Sequence, residues 1–207
     1  DWGIDEAMMR GVEKGSFEPA IVVGAWSSSQ RRDEYSPWHD ASKYARFLTE
    51  ELMPRVNGEF RTLIGPENTF AMGSSMGGLL AYYLVNNHPD AFSACGCVST
   101  HFAFSEANIR DLWEEDTDEP DPTPFIIRDI ANGDTVPAGA RLFFDYGTET
   151  LDSSYEEDHE PVRHWFLKQG LVEGRDFRFE KYEGADHSER AWRARVGNQL
   201  KWLLGGG

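Results

Sequence analysis

Thr69-Phe70-Ala71-Met72-Gly73-Ser74-Ser75-Met76-Gly77-Gly78 is the stretch on which the fold turns. Thr69 to Gly73 reads as a short strand. Leu79 to Val85 belongs to a helix that should stop before Pro89. Between them stands the pattern G-x-S-x-G, with Ser75 at its centre. A strand that turns abruptly into a helix forces the intervening residue into a strained backbone conformation, tolerated only between very small neighbours. Gly73 and Gly77 supply that room, and Gly78 lets the helix approach the sheet closely. Ser75 is thereby expected above the sheet edge. The amide of Met76, at the helix start, is placed to donate to an oxyanion.

Strand and helix periods alternate on both sides of this stretch. Upstream, Ile21 to Val23 is a β-branched run ending at Gly24, and Ser42 to Val56 has helical spacing with Tyr44, Leu48 and Leu52 on one face. Downstream, Ala94 to Ser99, Arg141 to Tyr146 and Phe177 to Tyr182 read as strands. Glu156 to Gln169 is a helix with Val162, Trp165 and Phe166 inward. Ser188 caps a last helix whose Trp192, Val196, Leu200 and Leu203 recur at helical spacing. Four prolines and many acids make the section from about 101 to 140 an irregular excursion or cap. Such alternation predicts one α/β domain over 1–207, with a mostly parallel sheet covered on both faces. Its chemistry should gather at the carboxyl ends of the strands.

The 207 residues carry a formal charge of −16, from 36 acidic and 20 basic side chains. That balance excludes nucleic acid as a partner, because counterion release requires clustered Lys and Arg. No apolar run is long enough for a membrane span. Cys95 and Cys97 are two apart in an apolar strand, where they point the same way and are poorly shaped for a disulfide, so they read as buried thiols.

A serine hydroxyl is a weak nucleophile until a base takes its proton. Among six histidines, His187 lies just past the last strand and directly before the final helix, where this architecture presents a side chain at the top of the sheet. His101 follows the strand ending near Ser99 and is a candidate to line the site. His39, His88, His159 and His164 read as surface residues. The acid that orients the base is expected after the strand Arg141 to Tyr146, where Glu149 and Asp152 both qualify. Glu149 is favoured because it lies nearer the strand end and its side chain is longer.

Five pieces together resemble the esterase family that includes siderophore esterases, feruloyl esterases and mycobacterial mycolyltransferases. They are Ile21 to Trp26, Arg31 to Pro37, Gly73 to Gly78, Asp145 to Glu149 and Gly184 to His187. The resemblance implies an α/β-hydrolase fold, and the order Ser75, Glu149, His187 matches the Ser, acid, His order of that fold. It implies hydrolysis of a small-molecule or carbohydrate-linked carboxylic ester through an acyl-enzyme, with no metal or organic cofactor. Family members normally begin with further strands, ending in a loop whose amide completes the oxyanion hole. Here Asp1 to Glu6 looks like the helix after that loop, so those strands and the second donor are expected upstream of Asp1. Trp26, with Arg32 and Glu34, is a candidate for the substrate mouth, although Arg32 and Glu34 could equally form a local ion pair and Trp26 a packed wall. Acyl transfer to an alcohol or sugar, and a non-catalytic binding module on a hydrolase scaffold, are the competing readings.

Overall fold

Four of the expected strands form in the computed structural model, which describes residues 2–107 and 120–205. They are β1 (Phe70–Ser74), β2 (Ala94–Val98), β3 (Arg141–Gly147) and β4 (Phe177–Tyr182), parallel and in the order β1-β2-β3-β4. The helices described are α1 (Ile4–Glu13), α2 (Arg31–Glu34), α3 (Ala41–Arg46), α4 (Met53–Glu59), α5 (Met76–Asn87), α6 (Phe125–Ala131), α7 (Tyr155–Lys168) and α8 (Glu189–Leu204). A parallel neighbour cannot be reached by a hairpin. So α5 carries the chain from β1 to β2, and α7 carries it from β3 to β4.

The period of two along each strand divides the core. Ala71, Cys95, Cys97, Leu142 and Phe144 face one side, where Leu79, Leu80 and Val85 of α5, Tyr44 of α3 and Phe166 of α7 cover them. On the other side Met72, Gly96 and Phe143 meet α8, and α1 packs outside it through Ala7, Val196 and Leu200. A Cβ at Gly96 would lie 2.8 Å from Gln199 Oε1, so glycine leaves room for that side chain of α8. Cys95 and Cys97 are free, fully buried and on one face, with their sulfurs 2.9 Å apart. Ser188 caps α8 by accepting from Ala191 N. The helix expected over 42–56 extends from Ala41 to Glu59 and has a π-helical segment, Phe47–Leu52, between α3 and α4.

One expectation needs correction. Ile21 to Val23 forms no strand, and its side chains are 45 to 52% exposed. β propensity expresses packing against a neighbouring strand, and among the described residues none pairs there. In the section from 101 to 140 the described residues include the helix α6. Phe125 and Ile126, on α6, are buried in the larger core. Residues 108–119 of that excursion lie outside the described residues.

Candidate active site

Ser75 stands between β1 and α5 with φ 56° and ψ −123°, a conformation that costs a non-glycine residue of order 1–3 kcal/mol. The neighbours hold it there. Its N–H donates to Val98 O at 2.9 Å, and its carbonyl accepts from Gly78 N at 3.0 Å. Glycine at 73 is obligatory for this turn, since a Cβ would sit 2.2 Å from the carbonyl oxygen of Gly77. Met76 opens α5, so its amide has no intrahelical carbonyl to reach.

The loops after β3 and β4 are clamped to each other. Thr148 N and Glu149 N both donate to Ala185 O at 3.0 Å, and a Cβ at Gly147 would fall 2.1 Å from that same oxygen. Thr150 adopts a left-handed backbone, φ 55°, and its Oγ1 accepts from His187 N at 2.9 Å. This clamp turns the short 3₁₀ helix Thr150–Ser154 so that Asp152 points inward.

The carboxylate that meets His187 is therefore Asp152, with Oδ1 at 2.5 Å from Nδ1. Asp152 is 1% exposed, whereas Glu149 is exposed on the outside of the turn. This corrects the preference for Glu149. Proximity to the strand end mattered less than the direction imposed by the 3₁₀ turn. Burial alone would push the Asp152 carboxyl up, but hydrogen bonds from His187, Ser99 Oγ (2.5 Å) and Gly147 N (2.7 Å) hold it below the ordinary carboxylate range. Because Nδ1 of His187 is committed to Asp152, Nε2 is the ring nitrogen left for proton transfer.

Tyr155, at the start of α7, was not anticipated. Its hydroxyl lies 2.6 Å from His101 Nδ1 and beside the Ser75 side chain, and its ring meets that of His187 edge-on at 5.8 Å. His101 is drawn into the site by its own N–H, which donates to Ser75 O at 3.4 Å. Burial, with His187 nearby, pulls its pKa from 6.5 down to about 4, so it is neutral at pH 7. Among the described residues no hydrogen bond joins Ser75 to His187 in this state. Apo sites commonly form that link only with substrate present.

His159 also departs from its surface reading. It is fully buried one turn after Tyr155, with Nδ1 bonded to Tyr155 O at 2.7 Å, and burial lowers its pKa to about 4. Trp26 is 91% exposed, and its carbonyl accepts from Tyr44 Oη. That removes the packed-wall alternative. Glu34 accepts from Ser28 N, and it is Arg31, one residue before Arg32, whose guanidinium reaches Met76 Sδ at 3.7 Å. Among the described residues no cluster of three or more His, Cys, Asp or Glu is arranged to hold a metal.

A parallel sheet with a strained serine between strand and helix, and a His–Asp pair on the loops after two later strands, is the arrangement of an α/β-hydrolase. Within that class the chain belongs to the family described as "Putative esterase", whose model matches residues 1–203. It is similar to the uncharacterized protein YbbA of Bacillus subtilis, 23% identical over 90% of this chain and 74% of that protein. Among solved structures it is similar to the enterobactin esterase FES of Shigella flexneri, with a TM-score of 0.71 and 16% identity over 94% of this chain. The chain spans 46% of that enzyme's length. A ferulic acid esterase superposes with a TM-score of 0.66 and 15% identity, over 98% of this chain and 77% of its own.

Proposed function

We propose that this protein is a serine carboxylic-ester hydrolase working through an acyl-enzyme, with Ser75, His187 and Asp152 as its triad. The observation that carries the reading is the Asp152–His187 pair at 2.5 Å, linked to the strained Ser75 through Tyr155, whose hydroxyl meets the Ser75 side chain and whose ring meets His187. Ser75 Oγ attacks the acyl carbon while His187 Nε2 takes its proton, and the same nitrogen returns that proton to the leaving alcohol. Water then repeats the sequence on the acyl-enzyme. Asp152 fixes the imidazole tautomer and stabilises the imidazolium. The Met76 N–H donates to the oxyanion, a contribution worth about 10²–10³ in rate for one such donor.

The test is Ser75→Ala, with hydrolysis of a short-chain p-nitrophenyl ester as readout. Turnover should fall by several orders of magnitude, and a fluorophosphonate should transfer its phosphonyl group to the wild-type protein at Ser75 only, with release of fluoride. Undiminished turnover in the variant would sink the assignment.

A further inference from the structure

Behind the Asp152–His187 pair lies a buried network that the reading above leaves unused. Ser99 is fully buried at the end of β2, with φ 42°, and its N–H donates to Asp145 Oδ1 at 3.1 Å. Asp145, also fully buried, accepts from Arg195 Nε at 3.0 Å and from Gln199 Nε2 at 2.7 Å. Arg195, 3% exposed, turns its other arm to Ser99 Oγ at 2.6 Å. Trp192 Nε1 reaches the same oxygen at 3.0 Å, while its ring stands edge-on to His187 at 5.0 Å.

A hydroxyl has one proton and two lone pairs. Here Arg195 and Trp192 fill both lone pairs, so the proton has one destination, Asp152 Oδ2 at 2.5 Å. With Gly147 N also on Oδ2, only Oδ1 remains for His187.

The charges are arranged to the same end. Two buried carboxylates share one guanidinium. Arg195 contacts Asp145 at 3.0 Å but stands 3.8 Å from Asp152, with the Ser99 hydroxyl interposed. A direct Arg195–Asp152 pair would spend the carboxylate's charge on arginine. The spacer leaves it for the imidazolium.

We propose that Ser99 is a positioning residue, with Arg195, Trp192 and Asp145 holding its proton on the acid without neutralising it. This rests on Ser75, His187 and Asp152 being the triad. The other groups facing the pair are His101 and Tyr155, across the site, and Asp186, paired with Arg190 beside His187.

Ser99→Gly is the discriminating variant, because glycine accepts the positive φ that alanine would strain, and loss of the CH2OH group takes the donor to Asp152 with it. We expect kcat to fall about ten- to a hundredfold, the range outer-shell partners show elsewhere, with KM within about twofold. Asp152 without that donor is more basic and holds the imidazolium harder, so the acid limb of kcat/KM should move to higher pH. The low-field proton resonance of His187 Nδ1–H should shift or broaden. Should Ser99→Gly not fold, Trp192→Phe keeps the ring against His187 and removes one donor. It should move the limb and the resonance the same way by a smaller amount. A folded Ser99→Gly or Trp192→Phe with wild-type kcat, pH profile and resonance overturns the proposal. Loss of the triad reading looks different: fluorophosphonate would then fail to mark Ser75 in the wild type.

Discussion

His187 Nδ1 lies 2.5 Å from Asp152 Oδ1, and Glu149, three residues earlier on the same loop, faces solvent. The two acids are close in sequence and differ in what surrounds them. Asp152 has three donors and no exposure to speak of, so its charge is available to the imidazole in a setting that screens it little.

That difference predicts opposite outcomes for two conservative changes. Asp152→Asn keeps the shape but replaces an acceptor with an amide that favours the wrong imidazole tautomer. We expect kcat to fall by about 10³–10⁴, as at the equivalent acid of serine proteases, with KM little altered. Glu149→Gln should leave both constants within about twofold. Steady-state kinetics on one ester, with the two variants side by side, decides between the acids.

Gly147 tests whether the loops must be clamped. Its backbone needs no special φ, so an alanine there is opposed only by space, and its Cβ would sit 2.1 Å from Ala185 O. Relieving that contact pushes the loop carrying His187 away from Asp152. Gly147→Ala should lower stability by about 1–3 kcal/mol, the usual cost of overpacking, and reduce kcat together with it. Gly58→Ala, in α4 with nothing near its Cβ, should instead gain about 0.5–1 kcal/mol. Urea denaturation of both variants reads the contrast.

Tyr155 offers a third test. Replacing it with Phe keeps the ring between His101 and His187 but takes away the hydroxyl that satisfies His101 Nδ1. A buried polar group without its partner costs about 1–3 kcal/mol. Denaturant midpoints should fall accordingly. If the hydroxyl also steadies Ser75, the rate of fluorophosphonate labelling will fall along with the midpoint; an unchanged rate confines Tyr155 to packing.

What was legible in the sequence follows a physical division. Ser75 and His187 could be placed because glycine punctuation and alternating periods mark where strands end. The choice of Asp152 over Glu149 could not be made, because it depends on Thr150 adopting φ 55° and on Ala185 accepting two amides, neither of which leaves a periodic trace. Ile21 to Val23 misled for a related reason, since a strand requires a partner that composition cannot supply. His159 carries a periodic signal that its neighbours Asp158, Glu160 and Pro161 mask. It falls on the stripe Tyr155, His159, Val162, Phe166, all buried and at helical spacing. Asp145 and Arg195 also carried a signal: a carboxylate inside the apolar strand Leu142 to Tyr146, and an arginine on the inward face of the last helix. Two such misfits near one site are worth pairing.

The buried histidines predict how stability responds to acid. His101 and His159 are neutral in the folded protein, with pKa values pulled by burial from 6.5 to about 4. Between those values the unfolded chain binds protons that the native state refuses, so stability rises with pH through that window and is lost as pH falls from about 6.5 toward 4. A shift of this size corresponds to at most roughly 3.5 kcal/mol per histidine. Asp158 works the other way. Burial and Glu157 lift its carboxyl to about 6, so acidification through the same window favours the native state at that group. Asp145 and Asp129, whose carboxyls burial also raises, act with Asp158, while Asp152, held low by its donors, acts with the histidines. Urea midpoints between pH 7 and pH 4.5, followed in the wild type and in His159→Phe, isolate the histidine contribution. His159→Phe, which keeps a ring among Phe102, Tyr146 and Phe179, should remove about half of the histidine contribution and flatten the slope. A slope unchanged by that substitution would mean that His159 takes up its proton in the native state as readily as in the unfolded chain.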